Sequence, residues 1–223
     1  MTRPIPRLIH QMWGTPDVPA PYSDYHRRIR ELNPDCEVTL WTDRALDEFV
    51  ETAFPHRFDA FRALPLDVHR WDLARYMLLR QHGGLYVDMD IEPTRSFSPL
   101  FDGDAGLALF HEHPDDVKRM RRHWILANAV IGCAPGPSLM DTLIDEICSL
   151  RRIDATRTGV CEQTGPILLT SVYGRHRPPA VLHDHRAFFP NAKAFDGSTG
   201  SQAGRFGTHR FAATWWKQVQ PPR

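Results

Sequence analysis

Lysine is nearly missing from this chain, with three residues against 24 arginines. That bias fits a GC-rich, bacterial genome and carries no functional message of its own. Long apolar runs are missing too. Residues 1–9 are broken by proline and arginine, and no stretch reaches the roughly 20 apolar residues of a membrane span. These absences favour a cytoplasmic location, with peripheral contact at the inner membrane face left open. The four cysteines, Cys36, Cys133, Cys148 and Cys161, show neither CxxC pairing nor zinc-like spacing, so packed, reduced thiols are expected. Charge of one sign is not in surplus: 27 basic residues balance 27 acidic ones. Without a basic excess, nucleic acid is not an expected partner. Repeats and low-complexity segments are absent.

What remains is an ordinary globular composition, 42% hydrophobic and 24% charged over 223 residues. That length supports one mid-sized domain, so a single domain over residues 1–223 is expected. Residues 7–13 read as a first strand, stopped by Gly14-Thr15-Pro16. A helix is expected over 22–32, ended at Asn33-Pro34, then a strand over 37–41 and a helix over 43–53 capped by Thr42. This β-α-β-α opening points to a parallel, nucleotide-binding α/β fold. The pattern then predicts an amphipathic helix over 65–81, with Pro65 in its first turn and Gly83 as a left-handed cap. Strands are expected at 85–87, 106–110 and 129–133, and helices at 138–150 and 166–173. The last forty residues, rich in Gly, Pro and His, read as loops folded over a site.

The chemistry centres on Asp88-Met89-Asp90. In an extended chain, residues i and i+2 point the same way, so both carboxylates aim at one spot at the end of an apolar strand. Paired carboxylates repel unless a cation or a shared proton relieves them, and hard oxygen ligands select Mg²⁺ or Mn²⁺. Asp72 and Arg75 stand three apart on one helix face. Alone they would be a surface ion pair worth well under ~1 kcal/mol. Beside a nucleotide site, Asp72 would meet sugar hydroxyls and Arg75 the diphosphate. His111-Glu112-His113 reads as a polar loop before Pro114 rather than a metal cluster. Lys118-Arg119 with Arg121-Arg122 reads as a solvated helix face that could also meet an anionic acceptor or lipid head groups.

Asp72-Leu73-Ala74-Arg75-Tyr76 followed by Gly83-Gly84-Leu85-Tyr86-Val87-Asp88-Met89-Asp90 resembles the signature of the DXD-containing sugar transferases of glycosyltransferase family 32. Residues 5–13, Leu40-Trp41-Thr42-Asp43, Thr164-Gly165-Pro166 and His209 with Thr214-Trp215 resemble further segments of that family, in order along the chain. The resemblance implies a GT-A fold: an α/β domain with a mixed, mainly parallel sheet flanked by helices and an irregular C-terminal lid. It implies a metal-dependent glycosyltransferase that moves a sugar from a UDP- or GDP-linked donor to an unknown hydroxyl acceptor, with retention, as in polysaccharide biosynthesis. By the same resemblance the donor is held by Trp13, Asp72, Arg75, Tyr86, Asp88 and Trp215. Asp88, Asp90 and His209 hold Mn²⁺ or Mg²⁺, and Asp90 and Arg75 serve catalysis. Trp71, ahead of Asp72, departs from the small or polar residue common there, which leaves the donor sugar open. Two alternatives are a haloacid-dehalogenase-like phosphohydrolase and a non-catalytic sugar-nucleotide binder. The first expects Thr or Val four residues after the first Asp, where this chain has Glu92. Residues 196–211 are expected to close as a lid over bound donor.

Overall fold

The computed structural model describes residues 3–136, 138–193 and 201–212. The elements run β1 (Leu8–Met12), α1 (Tyr22–Leu32), β2 (Glu37–Trp41), α2 (Asp43–Ala53), α3 (Phe58–Arg62), α4 (Asp67–His82), β3 (Gly84–Val87), β4 (Ile91–Pro93), β5 (Leu107–His111) and α5 (Pro114–Arg119). They continue through β6 (Leu126–Cys133), α6 (Leu139–Cys148), α7 (Arg157–Gln163), α8 (Pro166–His176), β7 (Val181–His183) and β8 (Gly207–His209). Six strands form one sheet in the order β2-β1-β3-β6-β5-β7, and β4 pairs with β8 in a small second sheet.

The opening is as the periodicity predicts, down to the Thr42 hydroxyl accepting from the Ala45 amide. β1 pairs in parallel with β2 on one side and with β3 on the other. β6 runs antiparallel to both β3 and β5, so β1, β3 and β5 all point one way. Their carboxyl ends therefore share one edge, where Trp13, Asp88 and Glu112 follow. That edge also lies where strand order reverses about β1, the place open α/β sheets bind ligands.

Alternation along the strands buries both faces of the sheet. Tyr86, Leu109 and Ile131 enter the core under α4, α6 and α8. Leu85, Val87, Phe110 and Val130 enter a second core with Ile29, Phe97 and Phe188.

α4 departs from expectation. Pro65 lies outside the helix, which starts at Asp67 after an extended Leu66 cap. It is not amphipathic, since Asp72 through Leu79 are all buried. The helix is enclosed by the sheet, α2 and α6, so a polar face would have no water to meet. Gly83 has φ 69° with ψ −158°, a mirror-extended rather than left-handed helical conformation. Gly84 follows at φ 95°, and a Cβ there would lie 2.6 Å from the Leu8 carbonyl oxygen. The two glycines let a buried helix turn directly into a buried strand beside β1.

β6 starts three residues earlier than predicted, and α8 runs on to His176. The short α5 and α7 and the three-residue strands β4, β7 and β8 lack enough periods to show in sequence. Arg121 and Arg122 lie in the turn after α5 rather than on a helix face.

His10 sits in this core at 3% exposure. Its Nε2–H donates to the Gly83 carbonyl at 2.9 Å, and its Nδ1 accepts from Trp41 at 3.2 Å. A second proton would face the Trp41 N–H, and burial pushes the His10 pKa down to about 4. Burial pushes His69 down to about 4 as well. A lowered folded-state pKa means stability that is full above pH 6.5 and is lost as pH falls toward 4. Urea unfolding at stepped pH should show it, at up to about 1.4 kcal/mol per pH unit for each histidine. His10→Gln should flatten part of that fall; an unchanged profile would remove His10 as a cause.

Candidate donor and metal site

β3 is buried along its whole length and delivers Asp88 at the shared edge. The Asp88 amide donates to the Ala129 carbonyl at 2.8 Å, which extends the β3–β6 ladder by one bond. Met89 and Asp90 then form a turn, closed by the Ile91 amide to the Asp88 carbonyl at 3.2 Å. Strand alternation alone, as predicted, therefore does not pair the carboxylates; the turn does. Leaving it, β4 pairs with β8 so that Ile91 lies opposite His209. One ligand atom from each of Asp88, Asp90 and His209 falls within 4.8 Å of the others. His209 Nε2 stands 3.1 Å from an Asp90 oxygen, whose other oxygen accepts from the Ala212 amide at 2.8 Å.

Asp72 and Arg75 are not the surface pair that their spacing taken alone predicts. Their side chains are 4% and 7% exposed, 3.0 Å apart. Arg75 also donates to Asp88 at 3.3 Å and to the Asn128 carbonyl at 2.7 Å, and lies 4.5 Å over the Tyr86 ring. The Tyr86 hydroxyl donates to the same Asp88 oxygen at 2.5 Å. Asp72 accepts from Asn128 at 2.9 Å and from the Thr164 hydroxyl at 2.7 Å. One hydrogen-bonded unit thus runs from α4 through β3 and β6 to the start of α8.

Burial pushes the Asp72 pKa up to about 6 despite Arg75. Burial also raises Asp88, with Arg75 opposing and Asp90 adding to the rise. For Asp90 burial acts upward, but His209 and the hydrogen bonds outweigh it and the net shift is down. His209 is the converse: burial is overcome by Asp90, Asp88 and Glu112, so it is raised above its usual value. The imidazole thus lies against Asp90 and near Asp88, and these carboxylates favour its protonated form.

These groups line a cavity of about 590 Å³. Trp13, its ring tilted 35° to that of Tyr22 at 5.1 Å, lies on its wall, as do Tyr86 and Trp71, whose indole N–H is held by Asp43 at 2.8 Å. Trp215 lies outside the described residues, as do Thr214 and part of the expected lid, residues 196–200. The rest of that segment is not wholly irregular: Gly204, Phe206, Gly207 and Thr208 are buried, and β8 carries His209.

His111, Glu112 and His113 do not converge on a metal. His113 caps α5 by accepting from the Asp115 amide at 3.2 Å, and His111 packs edge-on against Trp124. Glu112, however, faces the cavity, where burial pushes its pKa up to about 7. Sequence reasoning missed it, along with Asn128 and the part played by Thr164. The one available signal for Glu112 was its place just past β5, at the edge that bears Asp88.

Residues 19–106 match the family model described as "Glycosyltransferase sugar-binding region containing DXD motif". Among curated proteins, inositol phosphoceramide mannosyltransferase 3 of Schizosaccharomyces pombe is 29% identical over 211 residues, covering 87% of this chain and 55% of that protein. A mannosyl phosphorylinositol ceramide synthase of Saccharomyces cerevisiae is 27% identical over 158 residues, covering 62% and 41%. The chain thus spans about half the length of these relatives, which are fungal rather than bacterial. The glycosyltransferase domain of the YGT toxin shares the fold, ligand-free at TM-score 0.57 and UDP-bound at 0.53, each 11% identical and covering 81% of this chain and 80% of that domain. The architecture is therefore GT-A, the α/β type expected. Over residues 19–106 the chain is therefore similar to the sugar-binding region of the DXD-motif glycosyltransferases. Among the described residues, no helix is long and apolar enough to cross a membrane.

Removing Arg75 would leave buried Asp72, and partly buried Asp88 beside it, without their cation. Arg75→Ala should therefore cost about 3–5 kcal/mol in denaturant unfolding, well beyond an exposed pair. A loss under about 1 kcal/mol would return the pair to the surface reading.

Proposed function

We propose that residues 1–223 form a single glycosyltransferase domain that moves a hexosyl group, mannosyl by the names of its relatives, from a nucleoside-diphosphate sugar to a hydroxyl acceptor. The observation that carries this reading is the Asp88, Asp90 and His209 set on the cavity that also holds Arg75, Tyr86 and Trp13. Two hard carboxylates with one imidazole fit Mn²⁺ better than Mg²⁺. Bound there, the cation would neutralise negative charge on the diphosphate. UDP and GDP donors are both open, and a toxin domain of the same fold has been solved with UDP bound.

The chain's own residues would do the rest. The Trp13 face, backed by Tyr22, offers a stacking platform for the base. Arg75 is engaged by four protein oxygens, those of Asp72, Asp88 and the Trp71 and Asn128 carbonyls, so it acts by holding Asp88 and by its fixed charge. Asp72 uses three of its roughly four acceptor sites internally, which leaves one for a sugar hydroxyl. In transfer, the bond from the anomeric carbon to the phosphate oxygen breaks and one to the acceptor oxygen forms. The acceptor's proton passes to the departing phosphate, the route that accompanies retention. Action at a membrane face is part of the proposal.

Screening UDP- and GDP-sugars for hydrolysis with and without Mn²⁺ separates this reading from a non-catalytic binder. Asp88→Asn or Asp90→Asn should abolish turnover while the fold survives, and activity in excess chelator would sink metal dependence. Because His209 is raised, Mn²⁺ must displace its proton. Calorimetric Mn²⁺ affinity should therefore climb with pH above 6.5, and His209→Ala should bind more weakly and lose that dependence. An affinity flat with pH in the unaltered protein would take His209 out of the metal shell.

A further inference from the structure

Asp88 and Asp90 reach the cavity by different means. Asp88 ends a buried strand, and its amide is fixed to the Ala129 carbonyl at 2.8 Å. Asp90 lies in the turn beyond, where the β3–β6 ladder has stopped. A carboxylate on a turn, beside a like charge, is pushed away from it unless something else holds it.

What holds Asp90 lies far along the chain. The Ala212 amide donates to Asp90 Oδ2 at 2.8 Å, and the Arg210 amide donates to the Asp90 backbone carbonyl at 3.0 Å. In an extended chain those two amides would stand roughly 6.7 Å apart, twice the rise per residue. Both acceptors belong to one residue, so the chain turns between the two donors. Phe211 makes that turn, at φ 49°.

Such a backbone is out of character for its side chain. Among the described residues, the non-glycine residues at positive φ are Arg121, Arg177 and Phe211. The first two follow α5 and α8, and a left-handed residue is ordinary at a helix end. Phe211 follows a strand, and a bulky residue there is a genuine outlier. Strain of this kind persists only where the surroundings over-determine it, and it gathers at ligand sites. The surroundings here are well fixed. Arg210 Nε donates to Glu92 at 2.7 Å, and the His209 amide donates to the Phe188 carbonyl at 2.8 Å. The Phe211 ring packs edge-on against His209, with centroids 4.2 Å apart.

The two oxygens of Asp90 are thereby given different tasks. Oδ2 is taken by the Ala212 amide, while Oδ1 stands 3.1 Å from His209 Nε2. We infer that Arg210-Phe211-Ala212 is a strained backbone clasp that presents Asp90 to a divalent cation, with Phe211 as a positioning residue acting through its left-handed turn. This rests on the metal reading proposed above and deepens it. The second carboxylate of the Asp-Met-Asp turn is set by the segment that follows β8, and so by the same segment that brings His209.

The test is a Mn²⁺ titration of the full chain without nucleotide, followed by the paramagnetic resonance of the free aqueous ion. Phe211→Gly loses the ring and keeps the turn. Phe211→Val loses the ring and resists the turn, since a β-branched residue is an outlier at that φ. Comparing the two separates backbone from side chain. Phe211→Val should bind Mn²⁺ about 10- to 100-fold more weakly, the usual cost of losing an outer-shell partner of a metal ligand. Phe211→Gly should bind close to the parent. Ala212→Pro removes the amide and drives residue 211 toward extended backbone, so it should match Phe211→Val. Arg177→Val puts the same strain at the end of α8, away from the cavity, and should bind as the parent. Equal weakening in both Phe211 variants would assign the effect to the ring and overturn the clasp. Parent-like binding by Phe211→Val would overturn it too, and would leave the cation site standing. A parent that binds no Mn²⁺ removes both. A melting curve identifies any variant that fails to fold. If Phe211→Val is one, Ala212→Pro, at an exposed position, takes its place beside Phe211→Gly.

Discussion

The site depends on a guanidinium buried with one carboxylate and set against a second, partly buried one. Arg75 and Asp72 would each be costly alone at their depth, and Asp88 sits against them at the end of a fully buried strand. Asn128, Thr164 and Tyr86 supply the remaining bonds, so each buried charge is met from a different element. α4, β3, β6 and the start of α8 are thereby locked in one register. The same bonds occupy one oxygen of Asp88, and its carboxylate and that of Asp90 both line the cavity. Stability and site geometry are in this sense one network, and a substitution there would disturb both.

Much of this could be read from the chain before its fold. Of the first four elements, α1, β2 and α2 follow from periodicity, Thr42 and Asn33-Pro34 because each keeps exposed positions, whereas β1, buried between two strands, showed through its length and the Gly14-Thr15-Pro16 stop. α4 broke that logic: enclosure on all sides erases the periodicity that marks a helix, leaving only its length and the glycine pair after it. The three-residue strands are set by partners far away in sequence, so no local pattern announces β8, although His209 could be matched by resemblance. The spacing of Asp72 and Arg75 gave their shared face but not their depth. Burial came from what packs above α4, and that decides whether an i,i+3 pair is solvated decoration or the centre of a site. Glu112 was hidden by its neighbours, since two flanking histidines and a proline look like a loop when the strand before them is short.

The division of charge within one cavity gives the molecule its direction. Acidic groups gather where three strand ends meet, and they tolerate one another through His209 and Arg75. Arginines gather on the wall of α5 and α7, where an exposed φ 54° residue keeps its long side chain.

The central claim is that Asp88, Asp90 and His209 form a real cation site. Electron paramagnetic resonance of added Mn²⁺ tests it most directly. The account predicts one site per chain, with nitrogen hyperfine coupling from an imidazole that disappears in His209→Ala, and with binding abolished in Asp88→Asn. A Mn²⁺ signal that stays that of the free aqueous ion, or one unchanged by either substitution, would contradict it.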